Sequence, residues 1–94
     1  MSARSVPAVL MRPEDITHID AAAHHARKST DTIRRWCRRY SISRQSSPGA
    51  PLEISAPALE MVMHGDTEAL ELLRQGHRAH PSVRRYLDFL GLPV

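Results

Sequence analysis

Apolar positions recur along much of this chain at the three- and four-residue spacing of an amphipathic helix. Ile16, Ile19, Ala22, Ala23 and Ala26 form one stripe, and Ile33, Trp36, Cys37 and Tyr40 form a second. The first stripe predicts a helix opening near Thr17, with Thr17 as N-cap and Asp20 three residues on, a variant of the capping box. Its alanine run, Ala21 to Ala23, leaves room for another helix to cross at close range. Only Arg27, Lys28 and Ser29 separate it from the second helix, which Ser29 or Thr30 can cap. Two helices joined this tightly predict a helix-turn-helix.

After Tyr40 the helical period is lost. Ser41 to Arg44 and Leu52 to Ser55 read as short extended runs around a turn-rich segment containing Pro48-Gly49, which predicts a small β-hairpin, or wing, over residues 42–55. Pro51 cannot donate to a ladder, so the hairpin should be short and two-stranded. Three further helices are expected. Ser55 caps the first, with Pro57 early in it and Leu59, Val62 and Met63 facing inward until Gly65. Asp66 or Thr67 starts the next, with Leu70 and Leu73 as its core residues up to Gly76. The last opens near Pro81 and carries Val83, Tyr86, Leu87 and Leu90 on one face before Gly91. The fold class expected is therefore mainly α with a small β-hairpin: a winged helix-turn-helix with additional C-terminal helices. Residues 1–15 have no period and read as a poorly ordered N-terminal arm, a plain solvated tail before a phosphate-contacting one, for which Arg4 and Arg12 are the candidates. Residues 16–94 read as a single domain, with 66–94 as its helical extension; a chain of 94 residues closes only one modest core.

Charge sharpens this picture. Residues 27–44 hold seven of the thirteen Lys and Arg residues and one of the ten acids, Asp31, whereas the rest of the chain has six basic and nine acidic residues. The positive charge is thus a patch, which favours an anionic partner, first of all duplex DNA. On the helix over 30–40 the arginines lie opposite the apolar stripe. Early residues of a helix in the major groove meet base edges, which nominates Thr30, Asp31, Thr32, Arg34 and Arg35. Arg grips guanine bidentately, Asp accepts from cytosine and a Thr methyl meets that of thymine. Asp31 could equally hold Arg34 and Arg35 in position. Arg38 and Arg39, a turn later, suit phosphates, as do Lys28, Ser29 and the helix N-terminus. Arg44 in the wing, with the run of Gln and Ser from Gln45 to Ser47, suits an adjacent minor groove or phosphates of flanking DNA. A solvated basic face is the competing reading of the helix, and a purely structural hairpin that of the wing. Trp36 and Tyr40 could stack bases, but their spacing from Ile33 assigns them to core packing.

No other chemistry is indicated. The lone Cys37 allows no intrachain disulfide and no cysteine-rich zinc site, and points to a reducing, cytoplasmic compartment. Six histidines, at 18, 24, 25, 64, 77 and 80, form no four-ligand set at familiar spacing. Glu60, Glu68 and Glu71 read as solvent-facing helix acids. No nucleophile elbow, phosphate loop or metalloprotease motif is present, so neither an enzyme nor a cofactor is expected. No apolar run approaches the ~18 residues of a membrane span, and the first fourteen residues lack the features of a secretion signal.

Ile16-Thr17 at a helix start, Ser29-Thr30-Asp31-Thr32-Ile33-Arg34-Arg35-Trp36 opening the next helix, and Ile54-Ser55 followed by Ala58-Leu59 together resemble the winged helix-turn-helix of the MerR superfamily. The likeness is greatest to its small excisionase-like members from phages and integrative elements, and covers about residues 16–63. It implies that the second helix enters the major groove and the wing touches flanking DNA. It also implies a recombination directionality factor that binds repeated sites cooperatively, bends DNA and turns an integrase towards excision. A small transcriptional regulator and a phage packaging subunit need the same groove-reading surface and stay open. The chain departs from the family in having Arg27-Lys28 where many relatives place a glycine and an aliphatic residue, and in continuing past the wing helix. The apolar face of residues 81–94 requires a cover, either its own domain or a neighbouring protomer in a homo-oligomer on DNA.

Overall fold

The computed structural model describes residues 7–94. A single 3₁₀ turn, Pro13–Asp15, leads into β1 (Ile16–Thr17), α1 (Ile19–Ala26), α2 (Thr30–Tyr40), β2 (Ser43–Arg44), β3 (Glu53–Ser55), α3 (Ala56–Met63), α4 (Thr67–Arg74) and α5 (Pro81–Leu90). The molecule is mainly helical, with one small antiparallel sheet ordered β1-β3-β2.

The buried alanines of α1, Ala22, Ala23 and Ala26, bring it close against α2, whose Ile33 and Cys37 enter the same core. The connection between the helices is compact because Arg27 adopts the left-handed conformation, φ 56° and ψ 43°, and Lys28 N–H donates to the Ala23 carbonyl at 3.1 Å. This is the helix-ending geometry usually given to glycine. Ser29 then caps α2 by accepting from Thr32 N–H. A second left-handed residue, Ser41, ends α2 and turns the chain so that Ile42 is fully buried.

Several expectations are corrected. Thr17 does not cap α1: it pairs with Ile54 in the sheet, and His18 is the N-cap, without a side-chain cap bond. The short hairpin forms from β2 and β3, but the sheet is three-stranded, because Ile16 and Thr17 add a strand on the far side of β3, in register with Ser55 and Ile54. A two-residue strand is too short to carry a periodic signal, and its partner lies almost forty residues away. The expected arm over 1–15 falls partly outside the described residues, Arg4 included; within them, residues 7–15 are not loose. Val9 is buried and donates its N–H to the Ser41 carbonyl, and Asp15 is buried in an ion pair with Arg78. Arg12, a candidate phosphate contact, donates to the Val94 carbonyl at the surface.

The C-terminal helices form the other half of the core. α3 is apolar on nearly all sides: Pro57, Ala58, Leu59 and Met61 are buried, with Val62 and Met63 only partly so. Glu60, expected to face solvent, is drawn in with them to 3% exposure. Asp66 caps α4 by accepting from Ala69 N–H and also accepts from the Tyr86 hydroxyl at 2.8 Å, which ties α4 to α5. Val83, Tyr86 and Leu87 pack into this chain's own core, whereas Leu90 is only partly covered and Phe89 beside it is exposed. No helix among the described residues is long and apolar enough to cross a membrane.

Candidate nucleic-acid interface

The sequence of α2 alternates its two characters at a period that splits the helix lengthwise. Ile33 and Cys37 are buried, Trp36 and Tyr40 pack at the core margin, and Arg34, Arg35, Arg38 and Arg39 are all exposed. Trp36 and Tyr40 therefore hold the helix to its domain. The basic arc has little internal neutralisation. Asp31 approaches Arg34 at only 3.6 Å and is itself 88% exposed, so it screens that guanidinium weakly. Arg39 lies over the Tyr40 ring at 5.4 Å. Arg38 makes no ion pair among the described residues.

The start of α2 is organised by hydroxyls. Ser29 Oγ accepts from Thr32 N–H at 3.1 Å and donates to Thr32 Oγ1 at 3.0 Å; Thr32 Oγ1 in turn accepts from an Arg35 guanidinium nitrogen at 3.2 Å. A cap therefore continues into a chain that orients one arginine. Lys28 and Ser29 are exposed at the turn, and Thr30 is half-buried at the first position of the helix.

The hairpin stands beside this face. Arg44 pairs across its strands with Glu53 at 2.7 Å, so this candidate contact is partly engaged in holding the hairpin together. At the tip, Gln45 donates to the Ala50 carbonyl and Ala50 N–H donates to the Ser47 carbonyl, which folds the Pro48-Gly49 segment into a turn. Between hairpin and helix runs a groove of about 260 Å³ lined by Arg34, Cys37, Arg38, Ser43, Gln45 and Leu52. Cys37 lies on its floor; burial pushes its thiol up, against the opposing effects of the Ser43 hydroxyl bond and the Arg38 charge.

Gln45 belongs to the Gln and Ser run read from the sequence as suited to DNA contact, whereas Ser43 was not singled out. Their only signal was polarity within the wing, and the groove depends on how α2 and the hairpin meet. Another pairing hidden from sequence reading is the buried Glu60, which accepts from His25 at 2.7 Å on one oxygen and from His64 at 3.0 Å on the other. It links α1 to α3 and lies outside the basic face. Among the described residues no group of three or more His, Cys, Asp or Glu could hold a metal ion. A comparison with protein-family models, characterised proteins and solved structures found no match to this chain.

Proposed function

We propose that this chain is a winged helix-turn-helix protein that binds double-stranded DNA in a sequence-dependent manner, with α2 in the major groove and the hairpin on the flanking backbone or minor groove. The observation that carries the reading is the exposed arc of four arginines on a helix whose opposite face is fixed to the core, beside a hairpin with which it lines a groove. A merely solubilising face would need neither the rigid seating of α2 nor the adjoining groove. An α-helix fits the major groove of B-DNA, and guanidinium groups are suited to both guanine edges and phosphates.

In this reading Thr30, Asp31, Thr32 and Arg35 meet base edges, while Lys28, Ser29, Arg38, Arg39 and Arg44 hold phosphates. The event controlled by binding is proposed from the family resemblance: a cytoplasmic excisionase-type factor that directs an integrase. The expected route to specificity is Arg35, which the Ser29–Thr32 chain holds before DNA arrives. Selection of bound duplexes from a random library, followed by mobility-shift titration, tests this. Arg35→Ala should cost about 1–3 kcal/mol on the selected duplex and relax its base preference. Equal weakening on every sequence would assign Arg35 to phosphate, and absence of any duplex binding by the wild-type chain would overturn the proposal.

A further inference from the structure

We infer that the groove between α2 and the hairpin is a backbone-phosphate site, and that Arg34 belongs to it rather than to the base-reading set. The inference rests on the DNA-binding reading and divides its arginines by task. Arg34 and Arg38 are one helical turn apart and line the same groove, facing Ser43 and Gln45. Arg35, one position on from Arg34, is absent from that lining and is instead held by Thr32.

The groove's electrostatics match an anion. None of its lining residues is acidic. The hairpin's acid, Glu53, is occupied by Arg44 at 2.7 Å, and Asp31 is a long, solvent-exposed partner of Arg34. Two guanidinium groups therefore share one concavity without a neutralising carboxylate in its wall. Cys37 and Leu52 supply an apolar floor, which lowers the local dielectric and strengthens attraction to a charge placed above it. Ser43 and Gln45 add neutral polar groups on the opposite wall. The occupant that fits is a phosphodiester of the strand passing between helix and hairpin. An arginine pair can clamp it with parallel N–H···O bonds, fixing the position of α2 without reading sequence.

The test is fluorescence-anisotropy binding of the full chain to a short mixed-sequence duplex over a series of salt concentrations, with each variant's thermal melt recorded. Arg34→Ala and Arg38→Ala should each weaken binding similarly on all duplexes and reduce the slope of log affinity against log salt by about one. Gln45→Glu, which adds a carboxylate to the groove wall but also loses the amide bond to the Ala50 carbonyl, should weaken binding more than Gln45→Met, which loses that bond alone. Arg84→Ala, a control at an exposed arginine on α5, should leave the slope unchanged. If wild type binds duplex with a steep salt dependence but the groove variants keep its affinity and slope, the groove proposal fails alone. It also fails if Arg34→Ala changes base preference, or if Arg84→Ala lowers the slope as much as Arg38→Ala. If wild type shows no salt-dependent duplex binding, the functional reading itself has failed.

Discussion

Arg27 sets the geometry between α1 and α2 from a conformation that its side chain disfavours. Left-handed backbone costs an L-residue roughly 1–2 kcal/mol, and Arg27 adopts it at φ 56° to end α1. Glycine would remove that strain, while its greater freedom in the unfolded chain returns about 0.5–1 kcal/mol of the gain. Arg27→Gly should therefore stabilise the protein by roughly 0.5–1 kcal/mol in urea denaturation. Unchanged or lower stability would show that Arg27 contributes packing or charge interactions that offset the strain. The tight turn was legible from its length, and the family resemblance marked Arg27-Lys28 as its glycine position, but that Arg27 itself takes the left-handed conformation was not legible from an arginine. Glu60 was hidden for a similar reason. Helical spacing identified Leu59 as inward-facing, whereas α3 is enclosed on almost every side and takes its carboxylate inside to meet His25 and His64. His25 is too far from Glu60 along the chain for any local pattern to join them, and only the one-turn spacing of Glu60 and His64 was a signal of the pairing.

Among the elements, α2 was the most legible. Its cap, its apolar stripe and its end at Tyr40 all act locally, and the structure gives Thr30–Tyr40 with Ser29 as cap. The two-residue β1 and the three-stranded sheet were not legible, since they depend on pairing between distant segments. Asp66 illustrates both cases: its role at the start of α4 was visible, its bond to Tyr86 on α5 was not. That bond has consequences at both ends of the pH scale. The Ala69 N–H and then the Tyr86 hydroxyl hold the Asp66 carboxyl below the usual carboxylate range. A depressed acid contributes stability above its unfolded value, about 3.9, and loses it as pH falls through the folded value. Burial first, and the Asp66 bond second, push the Tyr86 phenol up to about 12. A raised phenol contributes stability fully below its unfolded value of about 10, and that contribution disappears as pH rises to about 12. Tyr86→Phe should consequently be less stable than wild type near neutrality, with the gap closing between those alkaline limits. Thermal melts across pH check this, and a gap of constant size through the alkaline range would exclude the phenol as its source.

At the scale of the whole molecule, arginines of the C-terminal half hold the segment before β1 in place. Arg74 donates to the Pro7 carbonyl at 2.6 Å and to the Tyr40 carbonyl at 2.9 Å, spanning the entry segment and the end of α2. Arg78 grips Asp15 through both terminal nitrogens, at 2.8 and 3.2 Å, and also donates to the Pro93 carbonyl. Composition alone could not separate these structural arginines from the basic arc, because an arginine's task depends on whether an acceptor lies within reach after folding. The Asp15–Arg78 pair is enclosed, with the carboxylate side chain 1% exposed and the guanidinium 13%. Removing either partner leaves an uncompensated buried charge, which typically costs 3–5 kcal/mol, roughly. Asp15→Ala and Arg78→Ala should each destabilise by about that amount, whereas the double variant, having no stranded charge, should lose much less than the two losses combined. Urea denaturation of all four proteins measures this coupling. Strictly additive losses would show that the segment before β1 is retained by Val9 and the Arg74 carbonyl bonds instead. The expected coupling would make this pair the fastening between the segment that leads into β1 and the helical half.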